Sequence, residues 1–203
     1  MASDRLTSSF QLASPTLVDR FGQHLSRRQI LRFVGDIRGK RIADLGCGFR
    51  AVIVAPWLGE VKEAHLIDLR LHPDLIRHPC VLATEGTLPD AVKGIPSEHL
   101  DVVIANSVLE HLWQPEKLLS EIHRILAPNG IALVNVPSWR GKRFLEFSAF
   151  RLALSPAEEM DDHKRYYDVR DLWPLLVQAG FRPSKINCFH HKFGLNTFGV
   201  MKK

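Results

Sequence analysis

The chain has 203 residues, of which 45% are hydrophobic and 24% are charged. These values are typical of one folded domain and exclude a mainly disordered polypeptide. The formal net charge of +5 is compatible with an acidic partner, but the basic residues are scattered and the tightest groups are pairs such as Arg27-Arg28. Because nucleic-acid-binding surfaces usually concentrate their positive charge, we expect no nucleic-acid partner.

The three cysteines, Cys47, Cys80 and Cys188, are far apart and odd in number, which is not the pattern of a disulfide-stabilised domain. The simplest expectation is therefore a reducing compartment, the cytoplasm. Residues 1–15 are polar and lack the apolar core of a signal peptide. We also expect no membrane span, because no segment approaches the roughly 20 apolar residues that cross a bilayer.

The first half of the chain predicts an N-terminal arm, residues 1–25, followed by alternating helices and strands. Ser26 and Gln29 have the spacing of a capping box, and apolar residues then repeat at helical intervals over 27–37. A second helix is expected over 51–58, although Pro56 limits its length. Short apolar segments predict five buried strands: Ile42–Leu45, Ala64–Leu69, Cys80–Thr84, Val102–Asn106 and Ile131–Val136.

The second half continues this alternation within what we expect to be a single domain over residues 1–203. An apolar face over 118–126 predicts a helix that Pro115 begins, and Gly180 ends a later helix. Residues 183–202 predict two final strands joined by a turn near Gly194. We therefore expect an α/β fold in three layers, with a mostly parallel seven-stranded sheet and a C-terminal antiparallel hairpin.

A glycine-containing segment, Asp44-Leu45-Gly46-Cys47-Gly48, directly follows the first predicted strand. Glycines at this position permit a tight turn and allow backbone N–H groups to approach a ligand closely. Asp68 ends the second strand, where a carboxylate can accept both hydroxyls of a ribose. Together these features predict a nucleoside-binding site. The alternative is a tight turn and a solvated strand end without a ligand.

The identity of the nucleoside depends on Asp44. Gly46, Gly48 and Ala51 also satisfy the dinucleotide pattern G-x-G-x-x-G/A, so a nicotinamide-dependent oxidoreductase is one alternative. A carboxylate two residues before the first glycine would repel a pyrophosphate, whereas it can pair with the ammonium group of a methionine moiety. The residues therefore favour a cofactor that carries an amino group.

The sequence resembles the class I S-adenosylmethionine-dependent methyltransferases, in particular their type-11 small-molecule group. The resemblance covers residues 26–182 and implies a Rossmann-like fold with S-adenosylmethionine as the cofactor. Several blocks in the family's order carry it: Ala43–Gly48, Leu100–Asn106, Val108–Leu112, Arg124–Gly130 and Gln178–Phe181.

The resemblance implies a methionine-binding end of the site. Asp44 is similar to the acidic residue that holds the methionine amino group, and Gly46, Cys47 and Gly48 resemble the loop under the sugar and the methionine. The chain departs from the family pattern at Arg50, where a third glycine is expected. The loop must therefore accommodate this cation or leave it in solvent.

The resemblance also implies a nucleoside end. Asp68 resembles the ribose ligand, Glu85 is similar in place to the polar residue at the adenine, and Asn106 lies where the fourth strand opens onto cofactor and substrate. The helix expected after Asp68 is cut short, because few residues separate it from the third strand. The wall of the adenine pocket is therefore expected to differ.

Methyl transfer requires orientation of the acceptor and, for some acceptors, a base. His111 follows the fourth strand and is a candidate base, with a structural role at the start of a helix as the alternative. Residues 138–168 predict a cap-like insert over the site, or additional core. Within it, His163 and Tyr166 resemble a histidine-to-aromatic block that approaches the active site in related enzymes.

The absence of two sequence patterns guides what we expect of the methyl acceptor and of metal binding. Asn106-Ser107-Val108 differs from the Asn-Pro-Pro-aromatic block associated with methylation of exocyclic amines, so we expect a small-molecule acceptor methylated on oxygen, nitrogen or carbon. Asp161, Asp162 and His163 lack a second cluster of ligands, so we expect no metal. A non-catalytic cofactor-binding protein is the main functional alternative, suggested by Arg50 and the short helix.

Overall fold

The computed structural model describes residues 17–144 and 164–203. Its seven strands are, in chain order, β1 Arg41–Leu45, β2 Glu63–Asp68, β3 Val81–Glu85, β4 Leu100–Asn106, β5 Leu126–Pro137, β6 Ile186–His191 and β7 Asn196–Lys202. They form one sheet in the spatial order β3-β2-β1-β4-β5-β7-β6. Strands β1 to β5 are mutually parallel, and β7 runs antiparallel to β5 and β6. The predicted sheet and its C-terminal hairpin are confirmed.

The helices that accompany the sheet include α1 Leu17–Val34, α2 Pro73–Ile76, α3 Pro115–Ile125 and α4 Val169–Gln178. Residues 139–144 are also helical. Helix α3 begins at Pro115 as predicted, because the first turn of a helix leaves the backbone N–H without an intrahelical partner in any case. None of the helices in the described ranges has both the length and the apolar character required to cross a membrane.

Helix α1 differs from its prediction at both ends. It begins at Leu17, inside the predicted arm, and ends at Val34, where Gly35 adopts a φ of 69°. Ser26 is fully buried within the helix and is not its N-cap. The capping-box interpretation is therefore wrong, because the same residue types fit a helix start and a buried turn of a longer helix.

The helix predicted over 51–58 is also wrong. This segment consists of turns and a short 3-10 helix, Ala55–Trp57. Pro56 excludes a regular α-helix, because it lacks an N–H and its ring clashes with the carbonyl four residues earlier. The apolar side chains are nevertheless buried, including those of Val54, Trp57 and Leu58. Hydrophobic burial was predicted correctly, and the backbone conformation was not.

Apolar side chains cover both faces of the sheet and give the expected three layers. Helices α3 and α4 pack on one face, where Leu118, Ile122 and Leu172 are fully or almost fully buried. Helix α1 and the segment around Trp57 pack on the other face, with Ile30. The sheet is thus held rigidly from both sides, and its strand ends are fixed relative to each other.

Candidate active site

The carboxyl ends of β1, β2 and β4 meet at one edge of the sheet, since these three strands are parallel neighbours. Asp44, Asp68 and Asn106 lie at or beside these ends. The strand order reverses between β1 and β4, and in open α/β sheets ligands bind at such a reversal. The fold therefore brings together three of the residues predicted for the cofactor site.

Asp44 carries a buried carboxylate. The residue is 1% exposed, and its Oδ2 has no hydrogen-bond partner within the described part of the chain. Burial and the nearby charge of Asp68 raise the pKa of this carboxyl to about 8. A buried carboxylate is costly unless a cation or a donor meets it. The arrangement therefore fits a ligand that presents an ammonium group.

The two loop glycines have different surroundings. Gly46 and Gly48 both adopt positive φ, 71° and 75°, which a side chain would strain. A Cβ on Gly46 would lie 2.5 Å from Cγ2 of Val108, whereas one on Gly48 would meet no described atom within 4 Å. Gly46 thus packs against the segment after β4, and Gly48 borders open space where a ligand can approach the backbone.

Cys47 and Arg50 complete the loop. The Cys47 side chain is buried, and burial together with the charges of Asp44 and Asp68 raises the pKa of its thiol. The thiol therefore stays neutral and contributes to packing. Arg50 is exposed, so the departure from the family's glycine is accommodated by placing the cation in solvent.

Asp68 connects the loop to the second strand. Its Oδ2 accepts a hydrogen bond from Gly48 N at 2.7 Å, and its Oδ1 accepts one from Leu69 N at 2.7 Å. Each carboxylate oxygen can accept further hydrogen bonds. Asp68 is thus held in a fixed orientation at the position expected of a ribose ligand, and it also stabilises the conformation of the loop.

Glu85 ends β3 directly beside Asp68 in the strand register. Its side chain is exposed, and its Oε1 accepts a hydrogen bond from Leu71 N at 2.7 Å.

The short helix predicted after Asp68 is the four-residue α2. In place of a longer helix, His72 N donates to Phe49 O at 2.8 Å and the two rings lie 5.2 Å apart. This contact joins the glycine loop to the segment beyond β2.

Asn106 pairs with a residue that the sequence interpretation missed. Asn135 Nδ2 donates to Asn106 Oδ1 at 3.0 Å, and Asn135 is 2% exposed. The Oδ1 of Asn135 has no hydrogen-bond partner among the described residues. The available signal was a single polar residue inside the apolar segment 131–136. A buried amide oxygen at this edge can accept a hydrogen bond from a ligand.

The candidate catalytic residues lie on the other side of Asn106. His111 is half-buried at the end of a 3-10 helix, Leu109–His111, whose first carbonyl accepts a hydrogen bond of 3.3 Å from the Tyr167 hydroxyl. Tyr166 is 8% exposed and packs on Trp139, with ring centroids 5.7 Å apart. His163 and most of the predicted insert, residues 145–163, fall outside the described residues.

A basic cleft adjoins this side of the site. Its volume is about 970 Å³, and it lies between residues 139–143, the start of α4 and the turn after β6. Four cations and one carboxylate line it: Arg140, Lys142, Arg143, Arg170 and Asp168. Lys142 Nζ also lies 5.9 Å from the centre of the Tyr166 ring. The cleft is therefore electrostatically suited to an anionic group.

Comparison with known proteins identifies the family. A family model described as a methyltransferase domain matches residues 18–185. A Mycolicibacterium smegmatis protein named a "probable S-adenosylmethionine-dependent methyltransferase" is 27% identical over 162 residues, which are 77% of this chain and 58% of that protein. Three mycobacterial relatives are longer, and this chain spans 48% to 58% of their length.

Two solved structures show the same fold. An S-adenosylmethionine-dependent methyltransferase from Archaeoglobus fulgidus superposes with a TM-score of 0.64 at 16% identity and covers 98% of both chains. The CurJ carbon methyltransferase gives a TM-score of 0.65 at 17% identity, over 97% of this chain and 58% of its own. With the family match over most of the chain and the carboxylates at the expected strand ends, the chain belongs to the class I S-adenosylmethionine-dependent methyltransferases.

Proposed function

We propose that this protein transfers a methyl group from S-adenosylmethionine to a small-molecule acceptor. The observation that carries the proposal is the buried carboxylate of Asp44 beside the open backbone of Gly48 and the oriented carboxylate of Asp68. One carboxylate suits an ammonium group and the other suits two ribose hydroxyls. A dinucleotide pyrophosphate would offer this buried carboxyl group no cation.

On the cofactor side, this chain's residues bind and orient. Asp44 would hold the amino group of the methionine moiety, the loop 46–48 would support the sugar, and Asp68 would accept the ribose hydroxyls. Glu85 would border the adenine, from the end of β3. When bound, S-adenosylmethionine supplies a methyl group activated by a sulfonium, so the protein's main task is to align the acceptor.

On the acceptor side, Asn106 and Asn135 form a polar edge beside the cofactor residues. We assign His111 as a base for acceptors that lose a proton, because a neutral imidazole can accept one near pH 7. His163 and Tyr166 are proposed to border the acceptor from the insert. Loss of turnover with unchanged cofactor affinity in His111→Gln would support the first assignment, and unchanged turnover would contradict it.

The basic cleft favours an acceptor with a carboxylate or phosphate group. Its cations lie next to Trp139 and Tyr166. The acidic group of such an acceptor would contact the cations, and its apolar or aromatic body would contact the two rings. Acceptor pairs that differ only by esterification of the acid test this inference. The free acid should have the lower KM. A lower KM for the ester would contradict it.

We also infer that the protein works in the cytoplasm. All three cysteines are free thiols, and burial raises the pKa of Cys188 to about 12. Unpaired thiols are typical of a reducing compartment, where disulfides rarely form. Fractionation of cells that express the full-length protein tests this placement.

Titration calorimetry tests cofactor choice directly. S-adenosylhomocysteine should bind, and NAD at the same concentration should give no heat above dilution. The Asp44→Asn variant should lose the S-adenosylhomocysteine signal, whereas Asp36→Asn, which alters an exposed carboxylate, should retain it. Binding of NAD in preference to S-adenosylhomocysteine would overturn the proposal.

Transfer itself requires a separate assay. The protein is incubated with methyl-labelled S-adenosylmethionine and a panel of small oxygen, nitrogen and carbon acceptors, half of them acidic. Label should move to at least one acceptor, and the Asp44→Asn variant should fail to move it. A protein that binds S-adenosylhomocysteine yet labels no acceptor across the panel would support the non-catalytic binding alternative.

A further inference from the structure

Three side chains with metal-binding atoms meet at the opposite edge of the sheet from the cofactor residues. Glu63 begins β2, His65 lies two residues later, and His99 immediately precedes β4. Glu63 Oε1 lies 2.7 Å from His65 Nε2 and 2.6 Å from His99 Nε2. The potential ligand atoms all lie within 4.8 Å of one another. No other such group of three occurs in the residues that the structure describes.

The strand register explains why these residues meet. Glu63 and His65 point to the same face of β2, because side chains alternate along a strand. Their register partners on β1 are Arg41 and Ala43. Ala43 has a small side chain, so β2 residues and His99 can meet across β1. The two imidazole rings lie 5.8 Å apart and nearly perpendicular.

This site is sheltered but accessible. His65 is 8% exposed, and the side chains of Glu63 and His99 are 24% and 26% exposed. The three side chains are thus largely screened from bulk solvent, while an ion can still reach the Glu63 carboxylate and the His99 ring.

We propose that Glu63, His65 and His99 form a Zn²⁺ site that joins β2 to β4 across β1. Two imidazole nitrogens and one carboxylate oxygen are ligands that Zn²⁺ prefers, and a water completes a tetrahedral site. Tetrahedral ligand atoms lie about 3.4 Å apart at ordinary zinc–ligand distances, so the side chains must separate by less than 1 Å from their present contacts. Each imidazole must also carry its proton on Nδ1, so that the Nε2 lone pair is free for zinc.

The neighbouring charges are compatible with a cation. Arg41 lies next to the site, but Asp101 neutralises it through an ion pair of 3.1 Å and accepts its backbone N–H at 2.8 Å. Arg41 and Asp101 therefore offset each other, which leaves the charge of the Glu63 carboxylate at the site. A divalent cation therefore meets an attractive local field.

The site would act on stability and not on methyl transfer. Glu63 and Asp68 stand at opposite ends of β2, five residues apart and thus about 16 Å from each other. The side-chain hydrogen bonds of Glu63, His65 and His99 join these three residues to one another. A bound ion would clamp the amino edge of three central strands and raise the thermal stability of the whole sheet.

Zinc binding to purified, metal-stripped protein tests the proposal. A competing chromophoric chelator should report one Zn²⁺ per chain, and excess Zn²⁺ should raise Tm by about 5 °C. Co²⁺ in place of Zn²⁺ should give the intense visible absorption of tetrahedral coordination. The variants His65→Gln and His99→Gln should each weaken Zn²⁺ binding at least tenfold. Glutamine keeps an N–H donor for Glu63, so the hydrogen bond and the fold are preserved.

A matched control excludes adventitious binding to other side chains. His78 Nδ1 lies 3.3 Å from Cys80 Sγ, and this pair is the natural competitor for zinc. His78→Gln should leave affinity, stoichiometry and the Tm shift unchanged. Absence of Zn²⁺ binding by the wild type would show a purely hydrogen-bonded cluster and overturn the proposal. Equal affinity in His65→Gln, or loss of binding in His78→Gln, would overturn it as well.

Discussion

Two halves of the sheet's carboxyl edge are organised differently. The cofactor half comprises the ends of β1, β2 and β3, and the acceptor half comprises the ends of β4 and β5. At the ends of β2 and β3, carboxylates are held by backbone groups: Asp68 by Gly48 and Leu69, and Glu85 by Leu71. Over β4 and β5, polar side chains pair with each other, as Asn106 does with Asn135. Backbone hydrogen bonds leave a functional group little freedom, whereas side-chain pairs can exchange partners when a ligand arrives.

This difference relates to what each half must recognise. The methionine and ribose groups of the cofactor are the same for every family member, so a fixed frame around Asp44 and Asp68 suits them. Acceptors vary, and we propose that they are received on the side where Trp139 packs on Tyr166 and borders the cationic cleft. Substitutions in the two halves should therefore separate binding of the cofactor from turnover.

The largest effect is expected for Asp44→Asn. Loss of the buried carboxylate leaves the ligand's ammonium group without its counter-charge, and breaking a buried ion pair costs about 3–5 kcal/mol. Affinity for S-adenosylmethionine should fall about 100-fold or more in calorimetry. Thermal unfolding should be unchanged or shifted upward, because a buried carboxyl is removed. An affinity within threefold of wild type would place the ammonium group elsewhere.

Asp68→Ala should have the next largest effect. It removes two charge-assisted hydrogen bonds to the ribose and also the bond that orients Gly48 N, so affinity should fall about 10- to 100-fold. Asp90→Asn, which alters an exposed carboxylate paired with Lys93, is the control and should bind normally. If Asp68→Ala binds normally while it remains folded by circular dichroism, Asp68 only stabilises the loop.

The affinity for S-adenosylmethionine should rise close to tenfold per pH unit between pH 6 and pH 7. In the free protein the pKa of Asp44 is raised to about 8, so the carboxyl is mostly protonated in this range. The ligand's ammonium group favours the carboxylate, and the complex must release a proton, which makes affinity rise with pH. Below about pH 7.7 the ligand's amino group stays charged. Calorimetry in buffers of different ionisation enthalpy measures the released proton.

The Asp44→Asn variant is the control for this titration. It should show neither the proton release nor the slope between pH 6 and pH 7. A slope that persists in this variant would assign the titration to another group, and the buried carboxylate would then be ionised before the ligand binds.

The smallest effect is expected for Tyr166→Phe in the acceptor half. The ring keeps its packing against Trp139, and only the hydroxyl is lost, so kcat should fall about 2- to 10-fold with unchanged affinity for S-adenosylhomocysteine. Tyr167→Phe is the informative comparison, because that hydroxyl bonds to Leu109 O and its loss should lower Tm. Weakened cofactor binding in Tyr166→Phe would assign this residue to the cofactor half.

The amino-acid sequence by itself determined the strands and the cofactor loop. Buried parallel strands are short apolar segments, so the positions of Asp44, Gly48 and Asp68 at or after strand ends could be located from local pattern alone. The helix that begins at Pro115 could also be predicted from the sequence, because its start signal and its apolar face both come from residues close together in the chain.

Only the tertiary structure decided the rest. Pro56 already argues against a regular α-helix over residues 51–58, but only the fold shows that the segment forms turns with Val54 and Trp57 buried against the sheet. The pairing of Asn106 with Asn135, the raised pKa of Asp44, and the meeting of Glu63, His65 and His99 all require distant segments to be brought side by side. Burial and strand register set these properties, and neither is a property of the residues nearby in sequence.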